Sequence, residues 1–407
     1  MAGPSDLDGR TLAVHAGLAP DPVTGAIAPN VAMAINYAAR PGEAGFSAND
    51  NPDLTALPYL YARWTNPTVR QLERRLAALE GADDGMATAT GMAAAAALFF
   101  GTLRRGDHLV VSDVCYPGVR ELASEVLPEL GIEATPVNLS DLAAVWSALR
   151  PNTRLIHAET PCNPLLRLTD LRAIAEIANA AGALLSVDST LATPVATQPI
   201  ALGADFVIHS LTKYINGHGD ALGGILLGRK DRIEAIRRRV GVRLGATLSA
   251  QNAWLILRGA DTLYPRMDAS ARTAQALAAQ LEAHPAVARV VYPGLPSHPQ
   301  ADLARRQMRN FGAVLTFQTR ADPDRVASAM AGGGLRLVHY AVSLGHQRSI
   351  VVLMKTGDLM QSTYRLAGAD LADYRRYAGD GVFRLSVGLE SADDLLADLC
   401  PLLDRFR

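Results

Sequence analysis

Cysteine is scarce in this 407-residue chain: Cys115, Cys162 and Cys400 are the only three. Three thiols without CxxC spacing make neither a disulfide framework nor a sequence-local zinc site. An excess of one charge is lacking too, since 39 Lys and Arg stand against 40 Asp and Glu. Such a balance gives no electrostatic argument for nucleic acid or for an anionic membrane surface. Long apolar runs are missing: the most apolar one, residues 93–100, is far too short to span a bilayer. Residues 1–10 are polar and acidic, without the apolar core of a secretory leader. What remains is a chain that is 49% hydrophobic and rich in alanine, long enough for a large packed core and more than one domain. A reduced, cytoplasmic globular protein is expected.

Residues 1–60 carry little periodicity and many turn formers, including Pro20, Pro22, Gly25, Pro29, Pro41, Gly42 and Asn49-Asp50-Asn51-Pro52. Such an arm has little core of its own and is expected to rest on another surface, such as a second subunit. Asn66-Pro67 then opens a helix running to about Glu80, with Val69, Leu72, Leu76 and Leu79 on one face. Strand candidates follow at 108–112, 132–137, 154–158, 183–187, 205–209 and 224–227, with amphipathic helices such as 170–181 between most of them. This alternation argues for a parallel sheet covered on both faces. Ligands of such sheets bind beyond the carboxyl ends of the strands. There the chain places Tyr116, Glu159-Thr160-Pro161-Cys162-Asn163-Pro164, Asp188-Ser189 and Ser210-Leu211-Thr212-Lys213. Beyond about residue 259 the pattern changes to a long helical stretch and strands at 288–292, 313–318, 335–343 and 382–387. The expected partition is an arm over 1–60, a large α/β domain over 61–260 and a smaller α+β domain over 261–407.

Lys213 is the centre of the chemistry. A lysine just past a strand end, beside the hydroxyls of Ser210 and Thr212, suits a Schiff-base lysine with an adjacent phosphate site. On spacing alone, an ordinary solvated loop lysine reads as well. Thr88-Ala89-Thr90-Gly91-Met92, ahead of an alanine-rich run, is either an anion site at a helix start or a plain glycine turn. Pyridoxal phosphate asks a protein for a lysine, a carboxylate for its ring nitrogen, phosphate donors, and an arginine for the substrate carboxylate. The chain offers Lys213, Asp188, the Gly91-Met92 amides with Ser210 and Thr212, and Arg384.

Four segments in order carry a family resemblance: Tyr61-Ala62-Arg63-Trp64-Thr65-Asn66-Pro67-Thr68, Val187-Asp188-Ser189-Thr190, residues 209–220, and Arg384-Leu385-Ser386-Val387-Gly388-Leu389-Glu390. Across residues 15–402 the chain resembles the Cys/Met-metabolism (trans-sulfuration) family of pyridoxal-phosphate enzymes. The resemblance implies a fold-type-I architecture, with a mostly parallel seven-stranded central sheet and a smaller C-terminal α+β domain. It implies that Lys213 binds the cofactor aldehyde and shuttles protons, Asp188 pairs with the ring nitrogen, and Asn163 meets the phenolic oxygen. Tyr116 would stack on the ring and exchange a proton with the leaving group. Gly91, Met92, Ser210 and Thr212 would bind the phosphate, completed by Tyr61 and Arg63 from a neighbouring subunit of a homotetramer built from catalytic dimers. Arg384, supported by Ser343, would hold the substrate carboxylate. His209 and His218 are expected to be structural, and no metal is expected.

Departures from the family pattern bear on substrate. Ser189 stands where Asn is usual, and Leu211 where a smaller residue is commoner. Gly118 occupies the position of the methionine γ-lyase cysteine, and Gly241-Val242 that of its Lys-Asp pair. Val342 is instead lyase-like, and suits an uncharged side chain such as that of methionine. The segments 249–259 and 295–300 look more like O-succinylhomoserine sulfhydrylases. The family's Gly-Gly-x-Glu-Ser becomes Gly345-His346-Gln347-Arg348-Ser349, whose His346 and Arg348 face either the substrate's distal group or the surface. The expected activity is γ-elimination on methionine- or cystathionine-like substrates. The alternatives are γ-replacement on an O-succinyl- or O-acetylhomoserine, cystathionine γ-synthesis, β-elimination, transamination and a non-catalytic scaffold.

Overall fold

A computed structural model describes residues 7–407 apart from 39, 41, 43, 44, 46, 52 and 58. The turn formers Pro41 and Pro52, and most of the polar stretch 1–10, lie outside the described residues. Helix Pro67–Glu80 shows how closely local sequence dictates structure here. Asn66 caps it, its Oδ1 accepting from the N–H groups of Thr68 at 3.0 Å and Val69 at 3.3 Å. Pro67 takes the first helical position, and Gly81 closes the helix in the left-handed conformation at φ 72°. Leu72, Leu76 and Leu79 are fully buried, contributing about 2 kcal/mol each by area.

The first sheet has seven strands: β1 (Asp84–Thr88), β2 (His108–Ser112), β3 (Glu133–Val137), β4 (Thr153–Glu159), β5 (Leu184–Asp188), β6 (Phe206–Ser210) and β7 (Gly224–Gly228). Their order is β1-β7-β6-β5-β4-β2-β3. β7 runs antiparallel to both neighbours, and every other pairing is parallel. Helices cover both faces, and separate apolar clusters pack against each. This is the expected fold-type-I architecture. Strands β2 to β7 fall within a residue or two of expectation, whereas β1 has no counterpart among the strand candidates.

A second, smaller sheet comprises β8 (Val287–Val291), β9 (Val314–Thr319), β10 (His339–Tyr340), β11 (Ile350–Lys355) and β12 (Gly381–Ser386), in the order β10-β11-β12-β9-β8. Only β10 and β11 pair in parallel. The expected strand over 335–343 shrinks to two residues. Its early N–H groups do not enter a ladder: those of Arg336, Leu337 and Val338 donate to the Asp398 carboxylate at 2.8–3.0 Å. β11 takes the place beside β12, where the strand candidates leave a gap. Among the described residues, no helix is long and apolar enough to cross a membrane.

Candidate active site

Four adjacent strands, β6, β5, β4 and β2, end on the same side of the sheet. Their carboxyl ends carry the residues singled out from sequence. Asp188 closes β5, its Oδ1 accepting from the Thr190 N–H at 3.0 Å, and burial raises its pKa. Lys213 sits in the turn after β6 and donates from Nζ to Ser343 Oγ at 2.6 Å. Burial, and then the charge of Arg384, lower its pKa, so the neutral amine is favoured. Ser343 holds φ 78°, a left-handed conformation that a non-glycine residue adopts at a local cost.

Arg384 rises from the middle of β12 in the second sheet. It donates from one terminal nitrogen to Asn163 Oδ1 at 2.9 Å and from the other to the Ser343 carbonyl at 2.7 Å. Its Nε is buried without a partner. Asn163, in the loop after β4, and Ser343, in the C-terminal half, are thereby tied through one guanidinium.

The opposite wall is built on close backbone approach. Helix Gly91–Thr102 begins beside β6: a Cβ on Gly91 would lie 2.9 Å from Ser210 Cβ. Thr90 caps this helix by accepting from the Ala93 N–H at 3.0 Å. The Gly91 and Met92 N–H groups are therefore left at the positive end of the helix, next to the Ser210 hydroxyl. Thr212 Oγ1 lies 3.2 Å from both the N–H and the carbonyl of Gly223. Tyr116, half exposed, starts a short helix; a Cβ on Gly118 would meet Met92 Sδ at 3.0 Å and Tyr116 Cε1 at 3.1 Å.

Tyr61 and Arg63 are not brought to this place. Arg63 donates to the Val242 carbonyl and lies 5.5 Å from the Tyr61 ring centre, while Tyr61 bridges to Asn36. Val342, His346 and Arg348 line a cavity of about 520 Å³ together with Thr212 and Ser343. His209 pairs with Glu80 at 2.6 Å inside the core.

Two residues near the site lacked an assignment from sequence. Glu159, buried at the end of β4, accepts from the Tyr116 N–H at 2.6 Å and from the Asn163 N–H at 2.7 Å. Burial first, and Asp188 second, raise its pKa. Its position at a strand end was the available signal. Tyr364 donates to the Cys115 carbonyl at 2.7 Å, a contact no local pattern announces.

The family model described as Cys/Met metabolism PLP-dependent enzyme matches residues 10–403. A canavanine γ-lyase of Pseudomonas canavaninivorans is 42% identical over 405 residues, covering 98% of this chain and 97% of that protein. An O-succinylhomoserine sulfhydrylase of Pseudomonas aeruginosa is 45% identical over 342 residues, covering 84% and 82%. Among solved structures, cystathionine γ-synthase of Xanthomonas oryzae, in complex with aminoacrylate and cysteine, is similar with TM-score 0.87 and 35% identity over 98% of both chains. The chain belongs to the Cys/Met metabolism family of pyridoxal-phosphate-dependent enzymes, and its relatives include γ-lyases, a sulfhydrylase and cystathionine γ-synthases.

Proposed function

We propose that the protein catalyses γ-elimination on an L-amino acid carrying a sulfur substituent at Cγ, as in methionine or cystathionine, with Lys213 as its base. The observation that carries the reading is the Lys213–Ser343 pair beside Arg384, in the turn after the strand that neighbours the Asp188 strand. The cofactor fits these residues. Asp188, whose carboxylate is disfavoured by burial, would be relieved by a protonated ring nitrogen. The Gly91 and Met92 N–H groups, with Ser210 and Thr212, would hold the phosphate at a helix N-terminus. Asn163 spends its Oδ1 on Arg384 and its backbone N–H on Glu159, so its side-chain Nδ2 would donate to the phenolic oxygen. Tyr116 would cover the ring.

When bound, pyridoxal phosphate supplies the electron sink that acidifies substrate Cα and Cβ. Lys213 Nζ, its pKa lowered, takes the proton from Cα and then moves protons at Cβ. Arg384 orients the substrate carboxylate, and Ser343 steadies the amine through its hydroxyl. The Tyr116 hydroxyl delivers a proton to the departing sulfur. Glu159 keeps Tyr116 and Asn163 in place from behind.

A second reading is γ-replacement on an activated homoserine, which shares the same deprotonations and is supported by the similarity to O-succinylhomoserine sulfhydrylase. The similarity to canavanine γ-lyases supports an oxygen-linked leaving group as part of the same reading. Assembly belongs to the same reading: Tyr61 and Arg63 would complete the phosphate site of a neighbouring subunit, in a cytoplasmic homotetramer built from catalytic dimers. Exposed Val23, Ile27 and Met33 on the arm support that contact. The test is a product assay on methionine, cystathionine, cysteine and O-acylhomoserines, with and without added sulfide. Release of 2-oxobutanoate and ammonia without sulfide is expected, and Lys213→Ala should abolish both turnover and the visible absorption of lysine-bound cofactor. Full turnover in that variant would overturn the assignment.

A further inference from the structure

Lys213, Asp188 and Arg384 address what all α-amino acids share, so choice among γ-substituents must be made by other residues. The cavity of about 520 Å³ opens beside the Lys213–Ser343 pair, since Ser343 and Thr212 belong to its wall. Asp220, Val342, His346 and Arg348 also line it. The charges in that wall are not equivalent. Asp220 is engaged, its Oδ1 accepting from Asn216 Nδ2 at 2.9 Å. The exposed Arg348 guanidinium makes no hydrogen bond or ion pair among the described residues; only its backbone N–H is used, donating to His346 Nδ1 at 3.2 Å.

That bond fixes the turn from which Arg348 projects. The His346 ring is itself held by close packing, because a Cβ on Gly219 would lie 2.2 Å from its Nε2. Burial, followed by the neighbouring Arg348 charge, lowers the His346 pKa, so Arg348 is the standing positive charge of the pair. Val342, exposed at 78%, offers apolar surface to a methylene spacer. An unpaired guanidinium at a cavity wall beside a reaction centre is matched by a carboxylate, which it binds through two parallel hydrogen bonds.

We propose that Arg348, positioned by His346, anchors a subsite for γ-substituents that end in a carboxylate. The chemistry is that of a dicarboxylic half-ester of homoserine or of the distal end of cystathionine. The inference rests on the lyase reading above and narrows its substrate class.

The holoenzyme would be assayed on O-succinyl-L-homoserine, O-acetyl-L-homoserine, L-cystathionine, L-methionine and L-canavanine, following loss of each amino acid. O-Succinylhomoserine should exceed O-acetylhomoserine in kcat/KM by about tenfold or more, and Arg348→Ala should remove about tenfold of that ratio. Arg348→Lys should restore part of it, and the absorption of lysine-bound cofactor reports that each variant is folded and loaded. A lead of cystathionine over the ester, or the reverse, tells which carboxylate source the subsite takes, and either supports it. Equal use of the succinyl and acetyl esters overturns the subsite. So does a preference that survives Arg348→Ala, or canavanine outrunning every carboxylate-bearing substrate. Turnover of none of the five removes the lyase reading and the subsite with it. Turnover without selectivity removes the subsite alone.

Discussion

Glu159 holds two neighbours that the reaction needs, yet touches none of the reacting atoms in the scheme above. Its two oxygens accept from Tyr116 N–H and Asn163 N–H at 2.6 and 2.7 Å. Glu159→Gln puts a donor where one of those N–H groups needs an acceptor, so one bond is lost and one buried N–H is orphaned. Leaving a buried N–H without a partner costs about 1–3 kcal/mol, so kcat/KM should fall by about tenfold. Steady-state kinetics with the cofactor spectrum recorded in parallel would check this, and unchanged values would deny Glu159 a positioning role. Asp188 gives a pH prediction. Its pKa is raised in the cofactor-free fold, so the folded state holds a proton that the unfolded state releases. Stability from this group is present at low pH and falls as pH rises from the ordinary carboxylate range through the raised value. Melting curves of cofactor-free Asp188→Asn and wild-type protein should therefore diverge in the variant's favour with rising pH. Each tenfold difference in proton affinity between the folded and unfolded chain is equivalent to about 1.4 kcal/mol.

Among elements, helix Gly91–Thr102 shows both what the sequence disclosed and what it concealed. Its start was readable because Thr90 and Gly91 precede an alanine-rich run, a cap and a tight entry in consecutive positions. That the start lies against Ser210 was not, because the contact joins segments 119 positions apart through a sheet neighbour no local pattern names. Gly91→Ala would bring a Cβ to 2.9 Å of Ser210 Cβ. It should loosen cofactor binding by about tenfold while leaving the fold standing, measurable by titrating cofactor into the cofactor-free variant. β1 escaped notice for a related reason: Asp84-Gly85-Met86-Ala87-Thr88 is poor in β-formers, and pairing with β7 makes it a strand. Its Asp84 is stabilised there by the buried Arg70. Conversely, the apolar 335–343 run looked like a strand, but side-chain acceptors on the last helix captured its N–H groups. The strand-end residues were legible because β/α alternation alone fixes which loops converge. The sequence leaves two directions open to His346 and Arg348 because a motif break shows none; only the folded chain puts both on one cavity wall.

For the whole molecule, the distance between the two halves of the expected phosphate site is the telling feature. Gly91, Met92, Ser210 and Thr212 converge within one chain, while Arg63 turns to the Val242 carbonyl and the Tyr61 ring. The arm just ahead of them leaves Val23, Ile27, Met33 and Leu57 largely in solvent, apolar surface that a second subunit would cover. If Arg63 serves a neighbour's site, two inactive variants must complement each other. In a mixed dimer of Lys213→Ala and Arg63→Ala chains, the Arg63→Ala subunit keeps its own Lys213 and receives an intact Arg63 from its partner. That site is whole, whereas the other lacks both groups. Random co-assembly from equal amounts makes half the dimers mixed, each with one working site, so activity should recover to about a quarter of wild type per site. Unfolding and refolding the variants together, against a control mixed without unfolding, would measure it. Recovery only after co-refolding supports a site shared between subunits. No recovery, in particles shown by light scattering to have assembled, would mean that each chain completes its own phosphate site.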